Sequence, residues 1–398
     1  MLQAIRNQSV APPPATRAFA MAHVAGFNAL NGISGGYQGS LSVGQGPKGA
    51  DLHAAYAVAF STALGAALNS SFSIDLHQFL ATRPDGDPKD LGVKWGHQVA
   101  LALIRSRIHD GAEPSRSAHY LGRYPRRQDN LKWSPTGPFY SAGGGPSFAN
   151  FARGLLPGWG GVTPWSIPSA STFLALDFPE EGSAEFNRQL EKVRALGSAH
   201  SKVRSSDQRQ IAFFWEDGPR GVTPPGHWQI IAMGLLQRKP MSLLSEARSF
   251  ALLSSAQADA GIATWQSKYA HDVVRPETYI RKRAKDPTPG WQTLIPTPGF
   301  PSYTSGHSAF SASSARMLAL LLGTDRVQFS STSPDLVNWP HVLTDVRRSW
   351  SSLSQAAQEG GDSREYGGIH WEADNTAGLM AGRRIADHVF ANSFRKVE

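Results

Sequence analysis

Residues 241–274 read MSLLSEARSFALLSSAQADAGIATWQSKYAHDVV, and this stretch decides the fold. Its apolar residues recur at helical spacing, which predicts one long helix. After residue 183 the same period returns at 184–197, 206–215, 226–237, 306–323, 335–358 and 371–394. Earlier in the chain it covers 52–72 and 95–109. Strand-like alternation is nearly absent. The expectation is an all-α fold, a helical bundle built as one or two four-helix bundles with long Gly/Pro-rich surface loops.

Around these helices lie two irregular regions. Residues 1–50 are rich in Gly, Pro and Ser and read as an irregular N-terminal arm, leaving 51–398 as a single helical domain. Residues 110–180 are dense in Pro, Gly and Trp without a sustained period. A connection of that length suggests a functional wrap around a helical body. The uncharged stretch from Ala54 to Ile74 is long enough to cross a bilayer. It is rich in Ala, Ser and Asn, so it reads as a buried helix and no membrane span is expected. The opening MLQAIRNQSVAPPPATRAF breaks its apolar run early, unlike a secretory leader. The chain fits a secreted, periplasmic or cytoplasmic protein equally.

Composition removes several classes of chemistry. The 398 residues include no cysteine, so disulfides, thiolate metal sites, Fe–S clusters and a cysteine nucleophile are excluded. Hydrophobic content of 40% with 11 Trp supports a packed core. The formal charge of +8 raises nucleic-acid binding as a possibility. The only basic segment interleaved with aromatics is YLGRYPRRQDNLKW, Tyr120 to Trp133, which reads as a solvated loop. Glycines at 44–51 (GQGPKGAD) lack the spacing and the hydroxyl of a phosphate-binding loop.

Three segments carry candidate chemistry. In TWQSKYAHDVVRP, Thr264 to Pro276, Lys268 and Arg275 are two helical turns apart and share a face with Trp265. Pro276 biases Arg275 out of helical geometry. The face could hold an anion, or it could be a solvated basic stripe. In GFPSYTSGHSAF, Gly299 to Phe310, Ser305 is a good N-cap and the amides of Gly306 and His307 point out of a helix start. An anion site and an ordinary capped helix with an exposed His both fit. In DSREYGGIHWEADNTAG, Asp362 to Gly378, Gly367-Gly368 breaks the helix, so Arg364 and His370 can converge from separate elements. A lone His near a helix start is more often structural. Together, however, three cations, a helix N-terminus and an imidazole suit one small, highly charged oxyanion.

In this order the segments resemble the vanadium-dependent haloperoxidases and the related type 2 phosphatidic acid phosphatases. The pattern is Lys268…Arg275-Pro276, then Thr304-Ser305-Gly306-His307, then Ser363-Arg364…His370. The blocks FFWEDGPRGVTPPGHWQIIA, Phe213 to Ala232, and PGWGGVTPW, 157–165, are similar to bacterial haloperoxidase-like proteins. Thr304 stands where the family usually has Pro. The resemblance implies vanadate as cofactor, or phosphate in its place, with His370 as the axial nitrogen ligand. Lys268, Arg275 and Arg364 would neutralise its oxygens, and Ser305 and the Gly306 amide would hydrogen-bond to them. His307 would be the general acid/base, oriented by Asp217, and Lys268 would polarise bound peroxide. Trp265 and Phe300 would line the halide pocket; chloride-oxidising members tend to carry Phe at the latter position. Hydrogen peroxide, a halide and a small organic molecule are the implied substrates, and a homodimer is compatible with it. The alternative is a soluble acid phosphatase, with His370 attacking phosphorus and His307 protonating the leaving alkoxide.

Overall fold

The computed structural model describes residues 1–113, 129–134, 154–218 and 220–397. The expected all-α architecture is what it shows. Helices α1 (Leu2–Asn7), α2 (Pro12–Ser34), α3 (Leu52–Leu68), α4 (Ser73–Ala81) and α5 (Asp87–Arg107) come first. After a run of loops and short turns follow α6 (Ala184–Leu196), α7 (Ser206–Phe214), α8 (Thr223–Leu236) and α9 (Leu243–His271). Then come α10 (Gly306–Leu322), strands β1 (Phe329–Thr332) and β2 (Arg347–Trp350), α11 (Leu353–Tyr366) and α12 (Glu372–Asn392). No described helix is long and apolar enough to cross a membrane. The stretch compared above with a bilayer span runs through most of α3 and into the start of α4, with Ala54, Ala55, Ala59 and Ala63 fully buried.

Helix α9 is the axis of the molecule. It packs against α2, α10 and α12, which explains why twenty of its 29 residues are buried and why it lacks a polar face. Ser242 caps it by accepting the Ser245 amide at 3.2 Å, and Asp272 closes it in the left-handed region at φ 59°. Helices α2, α3 and α5 form one layer of the bundle, and α10, α11 and α12 the other. The α10–α12 contact is made by backbone. A Cβ on Gly378 would lie 2.6 Å from the Ser305 carbonyl oxygen, and one on Gly382 would overlap the Ala309 carbonyl.

Two expectations are corrected. Residues 1–50 are not an irregular arm. They contain α2, seventeen of whose residues are buried, and α2 contributes Phe19, Phe27 and Leu30 to the main core. The cause is the prolines: Pro12 and Pro13 sit in the first turn, where a missing N–H costs nothing, and Gly35 ends the helix at φ 68°. Residues 335–358 are not one helix. Pro334 and Pro340 restrict them to short turns, and Arg347–Trp350 pairs antiparallel with Phe329–Thr332 before α11 begins. Beyond α12 the chain returns to the end of α2. Gln38 N donates to Arg395 O at 2.8 Å, and Val397 N to Gly36 O at 3.0 Å. The expected wrap of 110–180 lies partly outside the described residues. Its described part from Gly154 holds only short turns, and Tyr120–Gln128 of the basic segment is not described.

Candidate active site

The three sequence segments meet where α9 ends, α10 begins and α11 gives way to α12. Arg275 lies just beyond α9 in the extended conformation that Pro276 imposes (φ −75°, ψ 146°). Arg364 lies in the last turn of α11, and Gly367-Gly368, with Gly368 at φ 81°, turns the chain so that His370 comes back against Arg275. Lys268, Arg275, Arg364 and His370 are all buried.

His370 is held in one tautomer. Its Nδ1 lies 2.6 Å from Asp374 Oδ2, so Nδ1 carries the proton and Nε2 keeps its lone pair. That Nε2 faces Arg275 Nη1 at 3.0 Å. Burial, then Arg275 and Lys268, hold its pKa well below that of a free imidazole, so it is neutral at pH 7. Asp374 also accepts from the Trp371 amide at 3.0 Å and from the Ser302 hydroxyl. Burial pushes this carboxylate up to about 6, against the lowering pull of Ser302 and Lys268. Asp374 was not among the residues singled out from the sequence. Its signal was available: an acid four residues after the His, at the N3 position of a helix.

The cations are organised by carbonyls. Arg275 donates from Nε to Phe300 O and from Nη1 to Ile369 O, both at 2.8 Å. Arg364 Nη1 donates to Trp215 O at 3.0 Å. Burial lowers the pKa of Arg275, with repulsion from Arg364 adding to it, and burial alone lowers that of Arg364. Arg275 Nη2 and Arg364 Nε are buried with no partner among the described residues. Lys268 departs from its expected place. Its ammonium donates to Pro301 O at 3.0 Å, Ser302 O at 2.9 Å and Thr304 O, so all three of its protons are spent on the loop before α10. Its Nζ lies 5.0 Å from the Phe300 ring centre, and the three bonds clip that loop in place.

Ser305 caps α10 by accepting the Ser308 amide at 3.3 Å, which leaves its hydroxyl proton to donate elsewhere. The Gly306 and His307 amides are the first of α10 and have no carbonyl a turn earlier in the helix. His307 Nε2 lies 3.1 Å from Glu216 O; a carbonyl only accepts, so Nε2 carries the proton and Nδ1 is the basic nitrogen. Burial and Arg364 hold the His307 pKa well below the usual imidazole range.

The expected pairing of Asp217 with His307 is corrected. Asp217 binds His227 Nδ1 at 3.1 and 3.2 Å, and both side chains are fully buried. The backbone turns left-handed at Asp217 (φ 46°), which sends its side chain toward α8, and His307 is left with the neighbouring Glu216 carbonyl. Glu216 itself accepts from Gly218 N at 2.9 Å and Trp339 Nε1 at 3.3 Å, and burial raises its pKa.

A cavity of about 230 Å³ opens above these groups. Gly306, His307, Arg364, His370 and Asp217 line it, as do Trp265 and Phe300, whose rings are 5.2 Å apart. Lys268 and Arg275 lie behind this lining, and Arg275 is 4.8 Å from the Phe300 ring centre.

Comparison with known proteins shows what the chain is similar to as a whole. Residues 248–398 match the family model of the VCPO second helical-bundle domain. A vanadium chloroperoxidase of Curvularia inaequalis is 25% identical over 287 residues, 57% of this chain and 47% of that protein. The chain thus aligns with about half the length of that curated relative. A bacterial vanadium-dependent iodoperoxidase superposes with a TM-score of 0.82 at 26% identity, covering 100% of this chain and 95% of the other. A bacterial vanadium-dependent chloroperoxidase in its apo form shares the fold at 17% identity, with a TM-score of 0.75 and coverage of 96% and 95%. Three ordered motifs converge on one cavity, within a fold that the chain shares with these vanadium-dependent enzymes, and its C-terminal part from residue 248 is similar to the second helical-bundle domain of the vanadium chloroperoxidases.

Proposed function

We propose that this chain is a vanadate-dependent haloperoxidase, using hydrogen peroxide to oxidise a halide, bromide and/or chloride, to hypohalous acid or onto an organic molecule. The observation that carries this reading is the buried His370, neutral, with a lone pair on Nε2 and its other nitrogen fixed by Asp374. Histidines that bind metals are oriented in this way by a carboxylate or carbonyl on the far nitrogen. Two guanidinium nitrogens without a partner among the described residues, and the open amides of α10, supply donors for an oxyanion, so the residues present fit vanadate.

When bound, vanadate supplies a Lewis-acid centre that activates peroxide without changing its own oxidation state. His370 Nε2 would give the nitrogen bond. Arg275 and Arg364 would balance the negative charge, and Ser305 Oγ and the Gly306 amide would donate to the oxygens. His307 Nδ1 would take a proton from arriving peroxide and return it to departing water. The net reaction is H₂O₂ + X⁻ + H⁺ → HOX + H₂O. Trp265 and Phe300 would form the apolar lining against which a weakly hydrated halide rests.

Two variants test this. His370→Ala should lose vanadate binding and halide oxidation together. His307→Ala should keep most vanadate binding, while oxidation falls by roughly 10²–10⁴, the usual contribution of a positioned acid/base. Calorimetric titration with orthovanadate, and assays with chloride, bromide, iodide and a phosphate monoester, give the readout. Phosphate-ester hydrolysis inhibited by vanadate, with no halide oxidation, would overturn the proposal in favour of a phosphatase.

A further inference from the structure

The cavity has a wall that the three motifs do not supply. Val10, Ala11 and Pro12, with Ser9, line it together with Trp265, Phe300 and Phe310. These residues join α1 to α2, and α1 is anchored on several sides. Ile5 is fully buried, Arg6 Nη2 donates to Pro334 O at 3.0 Å, and Val10 N donates to Ile5 O at 3.0 Å. The wall is therefore built into the fold. Val10, Ala11, Pro12 and Pro224 carry no charge, and the ionisable lining groups Glu216, Asp217, His307, Arg364 and His370 all come from other parts of the chain.

We propose that residues 9–12 form a selectivity wall that admits a neutral, single-ring organic molecule to the cavity, where it is halogenated while bound. The inference rests on the haloperoxidase reading above. Size sets the class. A dry apolar cavity of roughly 150 Å³ is enough for benzene. The 230 Å³ here also has to hold the oxyanion beside His370 and Arg364, which leaves room for a single ring, while a two-ring molecule such as 4-phenylphenol needs roughly twice the benzene volume, about 300 Å³. Chemistry sets the rest. Residues 9–12 bring no charge to the cavity, so a neutral ring against them loses no ionic solvation on entry, and it would share one cavity with His307, Arg364 and His370, where oxidised halogen would be formed. The balanced step is ArH + X⁻ + H₂O₂ + H⁺ → ArX + 2 H₂O. The ring carbon gains halogen and releases a proton, halide is oxidised and peroxide is reduced.

The test uses the full chain loaded with vanadate, bromide and peroxide. Equimolar phenol and 4-phenylphenol compete, and the product ratio is compared with that of reagent hypobromous acid. The wild type should favour phenol about tenfold or more beyond the reagent ratio, the discrimination typical of an apolar pocket. Ala11→Trp should cut phenol bromination about tenfold while bromide oxidation without organic substrate continues. Val10→Ala should relax the preference toward 4-phenylphenol. Phenol binding to vanadate-free protein, read by saturation-transfer NMR, should vanish in Ala11→Trp with its circular dichroism unchanged. Reagent-like ratios in all three proteins, with bromide oxidation intact, would overturn the wall. If no bromide oxidation occurs at all, the haloperoxidase reading fails. In that case loss of phenol binding in Ala11→Trp would still support the wall, and unchanged phenol binding would overturn it too.

Discussion

Replacing Asp374 by Ala should weaken vanadate binding and strengthen phosphate binding, and the opposite signs are the point. The carboxylate does two things. It accepts a hydrogen bond from His370 Nδ1 at 2.6 Å, which keeps the lone pair on Nε2, and it places a negative charge beside Lys268 and Arg275. A hydrogen bond to an ionised acceptor contributes about 1.5–3 kcal/mol. Losing the group that orients a metal-bound histidine costs about 10–100-fold in affinity, or roughly 1.4–2.7 kcal/mol. The two figures agree, so vanadate affinity should drop by that factor. Orthophosphate needs no nitrogen lone pair when it binds as a simple anion. It should feel only the gain in positive charge and bind more tightly. Titration calorimetry of both anions against wild type and variant measures the pair, with Asp374→Asn as the variant that removes charge while keeping an acceptor. If both affinities move in the same direction, His370 is not the nitrogen ligand and the reasoning fails.

Other outcomes follow from the packing and the titrating groups. Gly378→Ala puts a methyl 2.6 Å from the Ser305 carbonyl oxygen and 2.9 Å from Ser308 Cβ, and should cost about 1–3 kcal/mol in urea unfolding; an unchanged midpoint would show that α10 and α12 are not in backbone contact. Ser305→Ala removes the cap of α10 and should cost about 0.5–2 kcal/mol, seen as a lower thermal midpoint. His23, stacked on Phe250 and buried, has its pKa lowered to about 3 by burial. The unfolded chain takes up a proton near pH 6.5 that the folded chain refuses, so stability is full above pH 6.5 and falls as pH drops toward 3. The loss is about 2 kcal/mol at pH 5. His23→Leu should flatten that slope, and parallel pH profiles for the two proteins would refute it.

Features set by local chemistry were legible in the sequence. Ser305 before an apolar helix, Arg275 before Pro276 and the Gly367-Gly368 break each dictate a conformation within a few residues, and the structure has all three. What depended on distant partners was not legible. The loop carbonyls that absorb Lys268 lie more than thirty residues away, and their orientation follows from a turn that no spacing rule encodes. Asp217 stood in the right block, but its backbone conformation sends the side chain to His227. The Gly, Pro and Ser content of residues 1–50 suggests an irregular arm, whereas prolines in a first turn start a helix.

The pairing of residues 36–38 with 395–397 bears on how the molecule is made. Val397 N meets Gly36 O across almost the full length of the chain, and Phe394 packs on Phe27 with ring centres 4.7 Å apart. Contacts of such separation carry a high loop-closure cost and slow the search for the native state. During synthesis at about 5–20 residues per second, α2 waits for roughly 20 seconds or more before its last partner leaves the ribosome. Its apolar Ala- and Phe-rich face is the surface a chaperone would meet in that interval.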